Sequence, residues 1–358
     1  MSAPEPARGA AVQLPVINIA EATPAAGKAM IDAATKYGFF YVDSASSQFT
    51  NEDVDGAFAM AREFFASPYE EKDSVRIGTN RGDFKEAMNF GELLNNKFQQ
   101  PLPPSLLPHE AELANFMTLC RKTCDRILEL LALGLDIPPT FFTTRHDPTA
   151  GPSGCTFRLL YYPSLHSPAS STFQHDVDVR AGAHSDYGSI TLLFQRDGQP
   201  GLEILTRAGE WAPVPVRPVT NPATTTEGQG KMATTFPPIL INIGDLLSYW
   251  TCGLLKSTVH RVVFPLEEQE QKQGGDGDDD DDDDDDDDGK GRDRYSMAYF
   301  CHPAHNTELV PVPSRLVEEQ RRRRKVVEGQ GVDQPMTARE HLAGRLAATY
   351  GGKKEEYQ

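Results

Sequence analysis

His184 and Asp186 stand two residues apart in AGAHSDYGSITLLFQ (181–195), directly ahead of an apolar run. Residues i and i+2 of an extended segment face the same side, so this imidazole and this carboxylate can aim at one point. Turning both inward costs free energy unless something pairs with them. A metal ion is one such partner. His260, in KSTVHRVV, opens a second alternating apolar stretch and can bring a third ligand from elsewhere in the chain.

Two imidazoles and one carboxylate on one face, with the remaining positions open, form the facial triad of non-haem Fe(II) sites, although ligand softness alone also admits zinc. Taken alone, a His-x-Asp pair is more often a histidine hydrogen-bonded to an aspartate in a turn. The next strand changes the balance. In RYSMAYF, Arg294 and Ser296 are again i and i+2, so a guanidinium and a hydroxyl can grip one carboxylate together. That is a site for an organic acid.

The elements that must position these residues can be read from spacing. Residues 1–13 form a flexible tail, LPVINI (14–19) a short strand, and residues 25–38 a helix with Gly38 as its C-cap before the strand FFYVDS. Helices are expected over 51–67, opening at Asn51 and Glu52, and over about 109–135, with a loop between them that contains Arg81 to Phe90. From Cys155 the pattern changes to short apolar runs, CTFRLLYYP through RYSMAYFCHP to TELVPV, divided by Gly, Pro and Asp. Seven or eight such strands predict a sandwich or barrel of jelly-roll type. The resulting division is an N-terminal helix-rich region (14–150), a jelly-roll core (151–312) and a C-terminal loop and helix (313–358). The core carries two loop insertions, Pro/Thr/Gly-rich at 217–236 and acidic and disordered at 267–291. The basic stretch 318–331 reads as a solvated loop, a weak nuclear-import signal at 321–325 being the alternative, and TAREHLAGRLAATYG as a helix.

Composition bounds the function. The chain has 358 residues and a net charge of −17, but eleven of those charges are the unbroken run Asp278–Asp288, which leaves −6 for the rest. No basic field covers the body, so small molecules are the expected partners rather than nucleic acid. The five cysteines show neither CxxC spacing nor an even framework, and Cys120 and Cys124 share a helical face where they pack. There is no signal peptide and no membrane-spanning run, so a cytoplasmic protein is expected, with a monomer plausible. His166, His175, His302 and His305 are assigned to surface or loop positions, with His302 directly after the strand that carries Arg294.

Here the residues resemble a known family. LPVINI, KYGFFYV, LLYYP, AGAHSDYGSITLLFQ, INIGDLLSYWTCGLLKSTVHRVV, RYSMAYF and TAREHLAGRLAATY, spanning roughly 14–350, are similar to the 2-oxoglutarate and Fe(II)-dependent dioxygenase superfamily, in the isopenicillin N synthase-like branch. The resemblance implies a mainly β (α+β) fold with flanking helices around a double-stranded β-helix core. It places the iron ligands on His184, Asp186 and His260, the grip on 2-oxoglutarate on Arg294 and Ser296, and a supporting role on Tyr162. Many relatives carry Asn where Leu160 stands. The gaps from Asp186 to His260 and from His260 to Arg294 exceed the family's by about the two insertions, and added loop length costs little. The implied activity uses Fe(II), 2-oxoglutarate and O2 to hydroxylate or desaturate a small molecule, giving succinate and CO2. A 2-oxoglutarate-independent iron oxidase and a non-catalytic metal-binding sensor are the alternatives. The prime substrate is not legible: a pocket lined by the N-terminal region, the loop around Arg81 to Phe90 and the strand around Phe157 selects nothing clearly.

Overall fold

A computed structural model describes residues 8–73, 84–94, 97–165, 167, 170, 179–218, 235–265, 293–328 and 335–350. The expectations about the aspartate run, most of the Pro/Thr/Gly insertion, Arg81, His166 and His175 lie outside the described residues.

Eleven strands are built: β1 (Val16–Ile17), β2 (Phe39–Val42), β3 (Glu86–Gly91), β4 (Thr156–Tyr162), β5 (Ala181–His184), β6 (Ile190–Gln195), β7 (Leu202–Leu205), β8 (Trp211–Pro213), β9 (Ile239–Ile243), β10 (His260–Val262) and β11 (Arg294–Cys301). They form a seven-stranded sheet in the order β1-β2-β9-β6-β11-β4-β3 and a four-stranded sheet in the order β5-β10-β7-β8. Pairing is antiparallel except between β1 and β2. This is the jelly-roll sandwich expected from the strand pattern. Three strands of its large sheet come from residues before 150.

Period-two alternation divides each large-sheet strand between two cores. In β9, Ile239, Ile241 and Ile243 join the helix-side core, whereas Leu240 turns toward the small sheet. Helices α1 (Pro24–Lys36), α2 (Asn51–Ala66) and α4 (Glu110–Gly134) cover that helix side, and α3 (Tyr69–Asp73), α5 (Thr140–Thr143) and α6 (Asp245–Trp250) are short. In α4, Leu113, Phe116, Met117, Cys120, Cys124, Ile127 and Leu131 recur at helical spacing and are all buried. Helix α2 begins at Asn51, as its sequence suggests, and ends at Ala66, one residue short of the expected end. Thr50 is the N-cap and forms a capping box with Asp53, which leaves Asn51 and Glu52 inside the first turn.

Three expectations need correction. Residues 86–91 are an edge strand, β3, rather than loop. TELVPV forms no strand beyond a bridge at Glu308, because Pro311 and Pro313 lack the N–H a ladder needs. The basic stretch belongs to a helix, α7 (Arg315–Glu328), braced by Arg315–Glu319 and Arg322–Glu318 pairs four residues apart, at 2.9 and 3.0 Å. None of the helices among the described residues is long and apolar enough to cross a membrane.

The end of α1 fixes the approach to His260. Gly38 adopts φ +73°, and Thr258 Oγ1 donates to the Tyr37 carbonyl at 2.7 Å while Lys256 N donates to Ala34 O at 3.1 Å. A Cβ on Gly38 would lie 2.3 Å from Lys256 O. Gly38→Ala should therefore lower unfolding stability by more than about 1 kcal/mol, through both the left-handed backbone and the clash. Urea denaturation checks this, and an unchanged midpoint would contradict the account.

Candidate metal and acid-binding site

The two histidines meet because β10 pairs with β5 in a register that sets His260 directly opposite His184. Their ring centroids are 4.4 Å apart. Each Nδ1 is held by a backbone carbonyl, His184 by Gly182 at 2.7 Å and His260 by Thr258 at 3.1 Å. With Nδ1–H donating there, each Nε2 keeps its lone pair for a ligand. Both Nε2 atoms lie 3.9 Å from Oδ1 of Asp186. The donor atoms of the three residues all fall within 4.8 Å of one another, and no other group of this kind occurs among the described residues.

Asp186 presents one oxygen and has the other tied back. Thr191 Oγ1 donates to Oδ2 at 2.6 Å and Asn242 Nδ2 donates to it at 2.7 Å. Burial pushes the Asp186 carboxyl up, but the imidazoles of His260 and His184 and these two hydrogen bonds outweigh it, and the group is held below its usual range. The His184 pKa is pushed down to about 4, by desolvation and by the adjacent His260 ring. His184 is therefore an unprotonated donor at neutral pH. Asp186 and His260 are each 7% exposed, while 46% of the His184 side chain faces an open recess. Three donors, two of them buried, that converge on one point without a protein cation among the described residues suit a divalent ion.

Arg294 begins β11 and Tyr162 ends β4, facing it in register. The guanidinium is 1% exposed, lies 4.9 Å over the Tyr162 ring, and finds neutral acceptors: Ser296 Oγ and Gln195 Oε1 at 3.3 Å and Gln199 O at 3.2 Å. Burial pushes its pKa down, and no carboxylate pairs with it among the described residues. Gln195 Nε2 beside it is a buried donor with no hydrogen-bond partner among the described residues. A buried cation among under-used donors fits an incoming carboxylate. One narrow cavity of about 70 Å³ is lined by all six residues singled out in the sequence, His184, Asp186, His260, Tyr162, Arg294 and Ser296.

A second cavity of about 420 Å³ opens on the exposed side of His184. Phe300, Arg158 and Tyr187 line it, with Leu342, Leu346 and Thr349 from the last helix, α8 (Ala338–Tyr350). His302 also lines it, which corrects its surface assignment: it is 6% exposed, its pKa is pushed down to about 4 by burial, and it sits between Gly154 and Gly188, where a Cβ would crowd the ring. His305 is half-buried in the following loop. Thr191, Asn242, Gln195 and Gln199 are functional neighbours that motif reading passed over. Of these, Asn242 alone stands out locally, as the polar residue that interrupts the otherwise aliphatic run ILINI.

A family model described as the 2OG-Fe(II) oxygenase superfamily matches residues 153–303, and one described as the non-haem dioxygenase in morphine synthesis N-terminal region matches 14–103. The UPF0676 protein C1494.01 of Schizosaccharomyces pombe is 30% identical over 365 residues, covering 95% of this chain and 94% of that protein. Homoarginine-6-hydroxylase 2-ODD-C23 of Glycine max is 29% identical over 264 residues, 66% of this chain and 72% of that one. A full-length Neurospora crassa protein, solved in complex with alpha-KG and 5-formyluracil, superposes with a TM-score of 0.67 at 25% identity, over 94% of this chain and 96% of that chain. A 2OG-Fe(II) oxygenase family protein from Caulobacter crescentus gives 0.68 at 24% identity, over 95% and 99%.

Asn242→Ala and Thr191→Val each remove one hydrogen bond to Oδ2 of Asp186. Losses of this kind weaken metal sites by roughly 10- to 100-fold. Anaerobic titration with Co(II), followed by its visible absorption, should show that drop with the fold intact by circular dichroism. Unchanged affinity in both variants would refute the role given to these two side chains.

Proposed function

This chain belongs to the 2OG-Fe(II) oxygenase superfamily, and we propose that His184, Asp186 and His260 hold its Fe(II) while Arg294 and Ser296 hold the far carboxylate of 2-oxoglutarate. The protein is a 2-oxoglutarate-dependent non-haem iron dioxygenase that oxidises a small molecule as it converts the co-substrate to succinate and CO2. The observation that carries the residue assignment is the cavity joining three converging donor atoms to a buried guanidinium without a counter-carboxylate.

When bound, Fe(II) supplies the O2 chemistry that decarboxylates the co-substrate and oxidises a substrate C–H bond. The chain's own residues orient and shield. Thr191 and Asn242 turn Oδ1 of Asp186 inward, and the Gly182 and Thr258 carbonyls set the imidazole tautomers. Arg294 and Ser296 fix one end of the diacid, and Tyr162 braces the guanidinium face. Phe39 packs edge-on against His260 at 5.6 Å and keeps water from its inner side.

The relatives' own small molecules differ, homoarginine by name in the soybean enzyme and 5-formyluracil in the Neurospora structure. What they support in common is the iron and co-substrate half of the site. A reducing cytoplasmic setting accords with five cysteines that form no disulfide among the described residues.

Anaerobic addition of Fe(II) and 2-oxoglutarate should produce a visible charge-transfer band. Asp186→Ala should abolish turnover of 2-oxoglutarate to succinate. Arg294→Gln should weaken the co-substrate by at least about 10-fold, as loss of a bidentate charge-assisted contact does. Full activity in either variant would overturn the assignment.

A further inference from the structure

The large-sheet face that carries Arg294 carries a second guanidinium farther along. Arg158 stands on β4 four residues before Tyr162, so on the same face it lies ~13 Å from Tyr162 along the strand. It lines both the narrow cavity and the wider recess.

Its orientation is fixed from two sides. Nε donates to Oδ1 of Asn89 at 2.6 Å, across the β3–β4 ladder where these residues are register partners. The guanidinium carbon lies 4.9 Å over the Phe300 ring. Among the described residues no carboxylate pairs with Arg158, and neither Nη makes a hydrogen bond. A fork held in plane with both terminal nitrogens uncommitted is built to receive two acceptor oxygens.

The surroundings give the sign of the charge. Asp186 is the one carboxylate among the described residues that line the recess, and Thr191, Asn242 and the metal position claim its oxygens. A cationic substrate would meet this field unfavourably, and a neutral one without acceptor oxygens would desolvate Arg158 without compensating it. Phe300, under the guanidinium, and Leu342 and Leu346 of α8 add apolar surface to the lining.

We propose that the recess takes a small molecule with a carboxylate on an apolar body. Arg158 grips the carboxylate bidentately, and the body lies between Phe300 and α8 with a C–H bond presented past His184 toward the metal position. The proposal rests on the iron and 2-oxoglutarate reading of the neighbouring cavity. It makes Arg158 the residue that sets substrate charge, separate from Arg294, which serves the co-substrate.

The test uses the full chain, anaerobic, with Fe(II) and 2-oxoglutarate. The probes are 4-phenylbutyrate, indole-3-propionate and octanoate, each paired with its primary amide, and the readout is binding by calorimetry. At least one acid should bind, with its amide about 10-fold weaker or more. Arg158→Gln should weaken that acid by a similar factor and leave 2-oxoglutarate affinity within about two-fold, while Arg158→Lys should retain part of the preference. The proposal is overturned if amide and acid bind equally, if no acid binds, if Arg158→Gln leaves acid binding unchanged, or if the variant loses 2-oxoglutarate instead. Absence of the charge-transfer band in the unaltered protein would bring down the underlying reading, and a normal band with the other failures would bring down this one alone.

Discussion

The fold buries two charges, the Asp186 carboxylate and the Arg294 guanidinium, without giving either an opposite Lys, Arg, Asp or Glu among the described residues. Desolvating an ion costs several kcal/mol even after the protein relaxes. Hydrogen bonds from Thr191 and Asn242 offset part of the cost at one end, and neutral acceptors from Gln195, Gln199 and Ser296 offset part at the other. What remains is a demand of opposite sign at the two ends of one cavity: a cation at Asp186 and an anion at Arg294. A metal ion and a dicarboxylic acid chelated to it satisfy both demands at once.

The large sheet can carry this strain because its two faces do different work. On β6, Ile190, Leu192 and Phe194 pack beneath the helices while Thr191 and Gln195 turn to the sandwich interior. On β11, Met297, Tyr299 and Cys301 pack outward while Arg294 and Ser296 turn inward. Helices α1, α2 and α4 thus bury most of the apolar surface against a face that needs no chemistry. Polar residues then accumulate on the other face without breaking the main core. The small sheet closes that face, and β5 and β10 hold the histidines at its rim.

Much of this was legible in the chain. His184 with Asp186, and Arg294 with Ser296, are visible because strand periodicity converts a spacing of two into a shared direction. The orienting residues were harder. Thr191 and Gln195 look like ordinary members of SITLLFQ, and nothing local tells that β9 will bring Asn242 within 2.7 Å of Asp186 across a separation of 56 residues. Strand β3 escaped because EAMNFG has little β propensity and gains its place from pairing along β4. Helix α7 escaped because four consecutive arginines suggest solvent, whereas Val317 is fully buried and Glu318 and Glu319 pair with flanking arginines.

The recess is assembled differently from the metal end. Its inner wall consists of strands locked by ladders, but α8, which also lines it, is held by separate contacts, Tyr187 Oη with Thr349 Oγ1 at 2.6 Å and the Ala338 N–H donating to Thr307 O at 2.9 Å among them. Arg345 of α8 pairs with Asp245 at 2.6 Å and donates to Ser185 Oγ at 3.3 Å, and Ser185 in turn donates to Asp245 at 3.0 Å. Ser185 sits between His184 and Asp186, and the Asp245 N–H donates to the Asp186 carbonyl at 2.7 Å. The last helix is therefore tied to the backbone that carries two of the three metal donors. The Arg345 side chain is 40% exposed, and a pair so open to solvent contributes about 1 kcal/mol or less. Firm strands around the three converging donors and an exposed ion pair latching the helix beside the recess let the donor end stay fixed while the outer wall is free to differ.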